Sequence, residues 1–466
     1  MAGVKSTSAL VLLVLSIACA ARTNTGSSTG DAALKGSTAT GISETSVRSH
    51  MEFFASDAMN GRGSGTRDEW ITATYIASHL RRWGLEPLGD EGGYVQKIDL
   101  ERPELAGPPV LSFGDRRYTH GQGVNVTYMN AVKTTGALAR LVSDAPAARG
   151  SVIVAPEFPS QGPRVSAAAL VLAKRNGCGG FRVQPGGLPR IAVQTVGVPP
   201  APARPACVAL DDEAYAAAEA LATGTTVTLE GQVKVVQKSS TWNAVGRLTG
   251  SDPKLAKEVI LLSAHMDHLA PRPNAASGAD NIFNGADDDA SGSIAVMELA
   301  EAMARGARPK RTLIFAWFGS EESGGTGSRY FADKPVVPLD RIVANLQFEM
   351  IGRPDAKVPP HTLWLTGYER STLGPELAKR GAKLVQDPHP EQSFFTRSDN
   401  IQFARRGVIA HTVSSFGLHK EYHTPADEVR FIDFAHMTDS IRSMLAPIRW
   451  LADSTFKPEW LPGKKP

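Results

Sequence analysis

Apolar residues along this chain change their spacing twice, and each change marks a different kind of structure. From Ser46, the residues Val47, Met51 and Phe54 recur at helical spacing. A second helical pattern, with Ile71, Tyr75, Ile76 and Leu80 on one side, predicts a helix over residues 70–83. Between them lies a glycine-rich turn, Asn60-Gly-Arg-Gly-Ser-Gly65. It lacks the Lys-Ser/Thr of a phosphate-binding loop, so no nucleotide role follows. From about residue 102 to residue 238, Pro and Gly become frequent, and runs at 150–154, 179–183 and 225–229 read as short strands. From Asn243 onward, apolar runs at 259–263, 312–318, 342–348 and 408–413 alternate with helical stretches such as 293–305, where Ile294, Met297 and Leu299 face a core. No internal repeat interrupts this order. The pattern predicts an α/β fold: a mixed, mainly parallel sheet sandwiched by helices, formed by residues 46–101 and 239–456, with a β-rich domain inserted at 102–238.

Composition narrows the function. At 466 residues, with 42% hydrophobic and 21% charged residues, the chain has ordinary globular character and room for more than one core. Lys and Arg number 50 against 47 Asp and Glu, a net charge of +3, which argues against a nucleic-acid binder. The N-terminus reads as an export signal over residues 1–20: Lys5 supplies the positive charge, and residues 9–18 form an apolar stretch too short to span a bilayer. Ala18-Cys-Ala20 fits a cleavage site, while Ser16-Ile-Ala-Cys19 resembles a bacterial lipobox with Ser where Leu is usual. A periplasmic, secreted or envelope-anchored protein follows, with a membrane tether through lipidated Cys19 left open. Residues 21–45, rich in Ser, Thr and Gly, read as a flexible leader. Cys178 and Cys207 could form one disulfide in an oxidising compartment or remain buried thiols. The Asn125-Val-Thr127 sequon is read as chance.

The chemistry concentrates after the apolar runs. In open α/β sheets, active sites lie beyond the carboxyl ends of the strands. The 259–263 run leads to His265 and Asp267, the 312–318 run to Glu321 and Glu322, the 342–348 run to Glu349, and the 408–413 run to Tyr422 and His423. Asp287, Asp288 and Asp289 stand just before the 293–305 helix. Solvated acids would scatter over polar helix faces instead. Imidazole with carboxylate is the ligand set of a hydrolytic zinc ion.

These stretches together resemble a known family. Ser263-Ala-His-Met-Asp-His268, Gly285-Ala-Asp-Asp-Asp-Ala-Ser-Gly292, Phe315-Ala-Trp-Phe-Gly-Ser-Glu-Glu322, Asn345-Leu-Gln-Phe-Glu-Met-Ile-Gly352 and Glu421-Tyr-His-Thr-Pro-Ala-Asp427 are similar to the motifs of the di-zinc exopeptidases of metallopeptidase clan MH, family 28, which include bacterial leucyl-type aminopeptidases. Asn60-Gly-Arg-Gly-Ser-Gly-Thr66 and Gly84-Leu-Glu-Pro-Leu-Gly89 resemble the opening of that family, and many members carry a protease-associated domain where residues 102–238 lie here. The resemblance implies two Zn²⁺ ions per chain, one held by His265 and Glu349, the other by Glu322 and His423, with Asp288 bridging and a cis peptide after it. It implies Glu321 as general base and Tyr422 as a hydrogen-bond donor to the developing oxyanion. Asp267 is placed to accept the second ring N–H of His265. The implied activity is an aminopeptidase acting on peptides through metal-activated hydroxide; the alternatives are a carboxypeptidase or dipeptidase, a glutaminyl cyclase-like acyltransferase, or a non-catalytic binding protein.

Some residues compete with these assignments. Glu349 stands where most members of that family have Asp, one methylene shorter. His411, within a strand, reads as core; His419 lacks a partner motif; His268 reads as structural or as a hydrogen-bond partner of the ligands. Arg397-Ser-Asp399 reads either as a pocket-lining loop or as a polar turn capping a helix at Asn400. The seven Trp are assigned to the core, apart from Trp317 on the Glu-bearing strand.

Overall fold

The strands that precede the candidate ligands are apolar on both faces because helices cover both sides of their sheet. In the computed structural model, which describes residues 41–141, 146–158, 167–178, 187–198, 205–272 and 278–466, strands Val259–His265 and Thr312–Phe318 are buried along their whole length. Ile260, Leu262, Leu313, Phe315 and Trp317 point into one core with helices Glu44–Phe54, Gly292–Arg305 and Phe434–Asp453. Leu261, Ile314, Ala316 and Phe318 point into the other, with Phe331 and Phe403 from helices Thr326–Asp333 and Asn400–Ala404. Burial on both faces explains the continuous apolar runs in the sequence. Each fully buried Leu or Phe there contributes roughly 1.5–3 kcal/mol.

The main sheet is mixed, as expected. Its central strands, Thr312–Phe318, Val259–His265, Ile342–Phe348 and Ala410–Ser414, run parallel in that spatial order. Val233–Leu248 joins one side antiparallel, and Leu363–Leu365 the other. His265 pairs with Phe318 and Phe348 with Val413, so the carboxyl ends of all four parallel strands come out level. Parallel register is what brings distant segments to one edge.

Among the described residues, a second sheet of nine strands occupies residues 110–230. Its core includes Leu111, Val126, Leu170, Leu172, Val208 and Leu229. Cys178 and Cys207 form a disulfide. The expected domain boundaries fall inside paired strands: Val95–Leu105 and Val233–Leu248 form one long antiparallel ribbon in which Glu101 faces Lys238 and Arg102 faces Gln237. Gln194–Thr195, from within the inserted range, also pairs with this ribbon.

At the start of the described chain, Ser43 caps the first helix by accepting from the Ser46 amide, and Ile42 is buried, so ordered structure begins ahead of residue 46. The second helix runs Arg67–Arg82, three residues earlier than its apolar pattern, because Thr66 caps it. Trp70 is 47% exposed and departs from the core assignment, since the second helix turns this residue outward. The signal segment, Cys19 and the 179–183 run lie outside the described residues. Among the described residues, no helix is long and apolar enough to cross a membrane.

Candidate metal and active site

Three consecutive aspartates, all buried, do three different jobs. Asp287 accepts from the Gly352 amide at 2.7 Å and meets His419 Nε2 at 3.0 Å. Asp289 accepts from the Gly292 and Met350 amides, each at 3.0 Å. Asp288 alone turns both carboxylate oxygens to imidazoles: Oδ1 lies 3.2 Å from His265 Nε2 and Oδ2 lies 3.1 Å from His423 Nε2. The Asp288–Asp289 peptide is cis. Asp427 supports the bend by accepting from the Asp287 and Asp288 amides.

The remaining candidates surround Asp288. His423 Nε2 also lies 3.1 Å from Glu322 Oε1. Glu349 follows its strand directly and lines the same cavity as Asp288, Glu321, Glu322, Tyr422 and His423. The Ser398 hydroxyl donates to Glu349. Glu321 and Glu322 sit in a turn closed by the Gly324 and Gly325 amides on the Glu321 carbonyl. Glu322 reaches the histidines; Glu321 lines the cavity and, among the described residues, its carboxylate has no hydrogen-bond or ion-pair partner.

Asp267 acts differently from the sequence expectation. Its carboxylate is 3.8 Å from His265 Nδ1, too far for a hydrogen bond, and its backbone carbonyl meets that nitrogen at 3.2 Å instead. The carboxylate accepts from the Glu321 amide at 2.9 Å, the Glu322 amide at 3.4 Å and the Ser64 hydroxyl at 2.5 Å. Two residues past the ligand, the strand has ended and the side chain faces the next strand's turn. Asp267 therefore holds both the His265 ring, through its main chain, and the Glu321-Glu322 turn, through its side chain.

Electrostatics follow from this crowding. Burial alone would raise the Asp288 pKa, but His265 and His423 override it and hold the carboxylate well below its ordinary value. Burial would likewise lower His265, yet Asp289, Asp267 and Asp288 hold it well above the usual imidazole range. Burial pushes Glu321 up well above the usual carboxylate range; His265 opposes, and Asp399, Glu349 and Glu322 add to the rise. Glu349 is raised to about 7, mainly by burial. Tyr422 is raised by burial and by the nearby carboxylates, so its hydroxyl stays protonated. The Tyr422 ring stacks on His423 with centroids 3.8 Å apart.

The donor set fits a metal. His265 Nε2 is buried and makes no hydrogen bond, although Asp288 lies in front of it. Donor atoms about 2.0–2.1 Å from one tetrahedral zinc sit roughly 3.3 Å apart, close to the 3.1 and 3.2 Å separations between Asp288, its two histidines and Glu322. His268, Asp288 and Glu322 also form a compact potential metal-binding group. His268 Nδ1 meets Glu322 Oε1 at 2.9 Å, in keeping with a role as hydrogen-bond partner of the ligands.

Of the competing residues, His411 is buried in its strand between the Thr366 carbonyl and the Ser371 hydroxyl, as expected for core. His419 does have a partner, Asp287. Arg397 and Ser398 line the cavity, and the Asp399 side chain does not cap the Asn400 helix. Met350, Trp364, Phe394 and Phe416 form an apolar cluster that lines the same cavity. Sequence reasoning missed Glu69, which accepts from the Ser320 amide at 2.8 Å, and Arg62. It quoted Asp427 in a motif without giving it a role. Asp427 and Arg62 each stand in a stretch that carries the family resemblance, which offered a signal; Glu69 and Ser320 are 251 residues apart.

Residues 243–447 match the model of peptidase family M28. Leupeptin-inactivating enzyme 1 of Streptomyces exfoliatus is 35% identical over 136 residues, 29% of this chain and 27% of that one. Leucine aminopeptidase 2 of Trichophyton equinum is 28% identical over 186 residues, 38% of this chain and 34% of that one. The matches thus span about a third or less of these relatives. The aminopeptidase from Aneurinibacillus sp. strain AM-1 superposes with a TM-score of 0.51 at 18% identity, covering 91% of this chain and 96% of that chain, a likeness of fold.

Proposed function

The chain carries a peptidase family M28 domain over residues 243–447, and on that premise we propose that it is a zinc aminopeptidase removing N-terminal residues from peptides. The observation that carries the reading is Asp288, whose two oxygens face His265 and His423 at 3.2 and 3.1 Å. This is the arrangement a carboxylate needs to bridge two cations. His265 and Glu349 would hold one ion, and Glu322 and His423 the other. Glu349 is one methylene longer than the Asp usual there and reaches the cavity from the strand end. Bound zinc supplies Lewis acidity, polarising the scissile carbonyl and making water acidic at neutral pH.

The chain's own groups then divide the work. Glu321, free of partners and raised in pKa, takes the proton of the attacking water and returns it to the leaving amine. Tyr422, held protonated, donates a hydrogen bond to the carbonyl oxygen as it gains charge. The aromatic cluster of Trp364, Phe394 and Phe416 suits an apolar N-terminal side chain, and the carboxylates that line the same cavity attract the protonated amine. The Cys178–Cys207 disulfide supports export to an oxidising compartment.

The test is a panel of amino-acid anilides and dipeptides assayed with zinc, with and without chelator, on wild type and Glu321→Gln. Wild type should hydrolyse apolar anilides and bind two zinc ions, and the variant should lose about 10²–10⁴-fold in kcat while keeping both. Full activity in the variant overturns the base assignment. Release of C-terminal residues only, or cyclisation of N-terminal Gln with one zinc bound, overturns the aminopeptidase reading.

A further inference from the structure

The glycine-rich turn at residues 60–66 supplies no ligand, yet it carries a fully buried guanidinium directly behind the site. Arg62 donates to the backbone carbonyls of Met266 at 3.1 Å, Asn284 at 2.7 Å, Gly285 at 3.0 Å and Phe54. Met266 lies between His265 and Asp267; Asn284 and Gly285 lead into the three aspartates. The Arg62 carbonyl in return accepts from the His268 amide at 3.2 Å. Both ligand-bearing loops therefore hang from one side chain.

Close approach depends on the two neighbouring glycines. A Cβ on Gly61 would lie 2.4 Å from the Leu269 carbonyl oxygen, and one on Gly63 would lie 2.5 Å from Ala270 Cβ. Asn60 and Arg62 themselves adopt φ of 46° and 50°. Non-glycine residues keep this left-handed conformation only where their surroundings over-determine it, and the four carbonyls do so here. Charge adds a second effect. Burial lowers Arg62 to about 10, the charges of Asp267, Asp427, Asp289 and Asp288 oppose that fall, and the guanidinium stays protonated at neutral pH.

We propose that Arg62 is a positioning residue for the metal site: it fixes the spacing of the His265 and Asp288 loops and offsets the mutual repulsion of the buried aspartates before metal arrives. This rests on the reading that the site takes zinc. The test strips metal from wild type, Arg62→Gln and Arg62→Lys, titrates zinc against a chromophoric chelator, and records melting with and without zinc. Loss of a group that orients metal ligands typically weakens metal binding about 10–100-fold, the fall expected for Arg62→Gln. Lysine keeps the charge but not the planar fork, so Arg62→Lys should recover only part. The zinc-induced rise in Tm should shrink in step. Unchanged zinc affinity with a lower metal-free Tm would mean an ordinary structural role and overturn the proposal. Should Arg62→Gln fail to fold, wild-type zinc affinity in Arg62→Lys overturns it alone. Wild-type protein that takes no zinc overturns the metal reading and this inference with it.

Discussion

In the sheet of residues 110–230, Glu230 reaches Lys133 at 3.1 Å across neighbouring strands, with side chains 52% and 58% exposed. At the edge of the main sheet, Asp287, Asp288, Asp289 and Asp427 are buried, and their oxygens accept from backbone amides or face imidazoles. The inserted sheet also has a strand buried throughout, Ala206–Leu210, but its alternating strand Thr226–Glu230 keeps its charges in water. The central strands Val259–His265 and Thr312–Phe318 of the main sheet are buried throughout, and acids gather at their ends. An exposed pair contributes little beyond solubility. A buried acid costs several kcal/mol to desolvate unless amides or a cation compensate it. Four such groups in one place, each with its own amide donors or imidazole neighbours, suit a site that binds a cation.

Removing one carboxylate from each region should separate them most sharply. Asp427→Ala leaves the Asp287 and Asp288 amides without their acceptor. An orphaned buried donor costs about 1–3 kcal/mol, and misplacing Asp288 should weaken zinc binding about 10–100-fold. Chemical denaturation and chelator competition measure both; wild-type zinc affinity would show that the bend holds itself.

A smaller effect is expected from acid. His411 in the main sheet is buried and lowered to about 4, chiefly by desolvation. The unfolded chain, with an ordinary imidazole, binds the proton more readily, so stability is present above about pH 6.5 and is lost as pH falls through about 4. At pH 5 this amounts to about 2 kcal/mol. Melting of wild type and His411→Asn at pH 7 and pH 5 checks it: the fall in Tm between the two pH values should be smaller in the variant. An equal fall in both would remove His411 as its source.

The smallest effect should come from Glu230→Ala. Because the pair is exposed, its loss should change stability by less than about 0.5 kcal/mol, and hydrolysis not at all. A drop in activity there would mean that the two sheets are not independent in function and would break the contrast.

The legible part of the site was the part that follows strands. His265, Glu321, Glu322 and Glu349 each come directly after an apolar run, so their common edge could be read from parallel order alone. His423 was separable from His411 and His419 only by its motif. Asp267 was assigned to the right ring by the wrong atom, because spacing along a chain does not say whether a carbonyl or a carboxylate will face a neighbour. Glu69, Arg62 and the role of Asp427 were not legible, since their partners lie 251, 204 and 139 residues away in the cases of Ser320, Met266 and Asp288. The change of composition near residues 102 and 238 did not show that both positions lie within one paired ribbon, because strand pairing across about 141 residues leaves no local mark.

By itself, the sequence determined that this is an α/β protein with a chemistry-bearing strand edge and a β-rich insertion. Periodicity and the apolar runs carry that information locally. Only the tertiary structure decided which of three adjacent aspartates turns both oxygens to histidines, and which side chains hold it there. That choice depends on backbone direction at one bend, on the donors brought from Arg62 and on the carboxylate acceptor brought from Asp427, and no local pattern encodes where those will be.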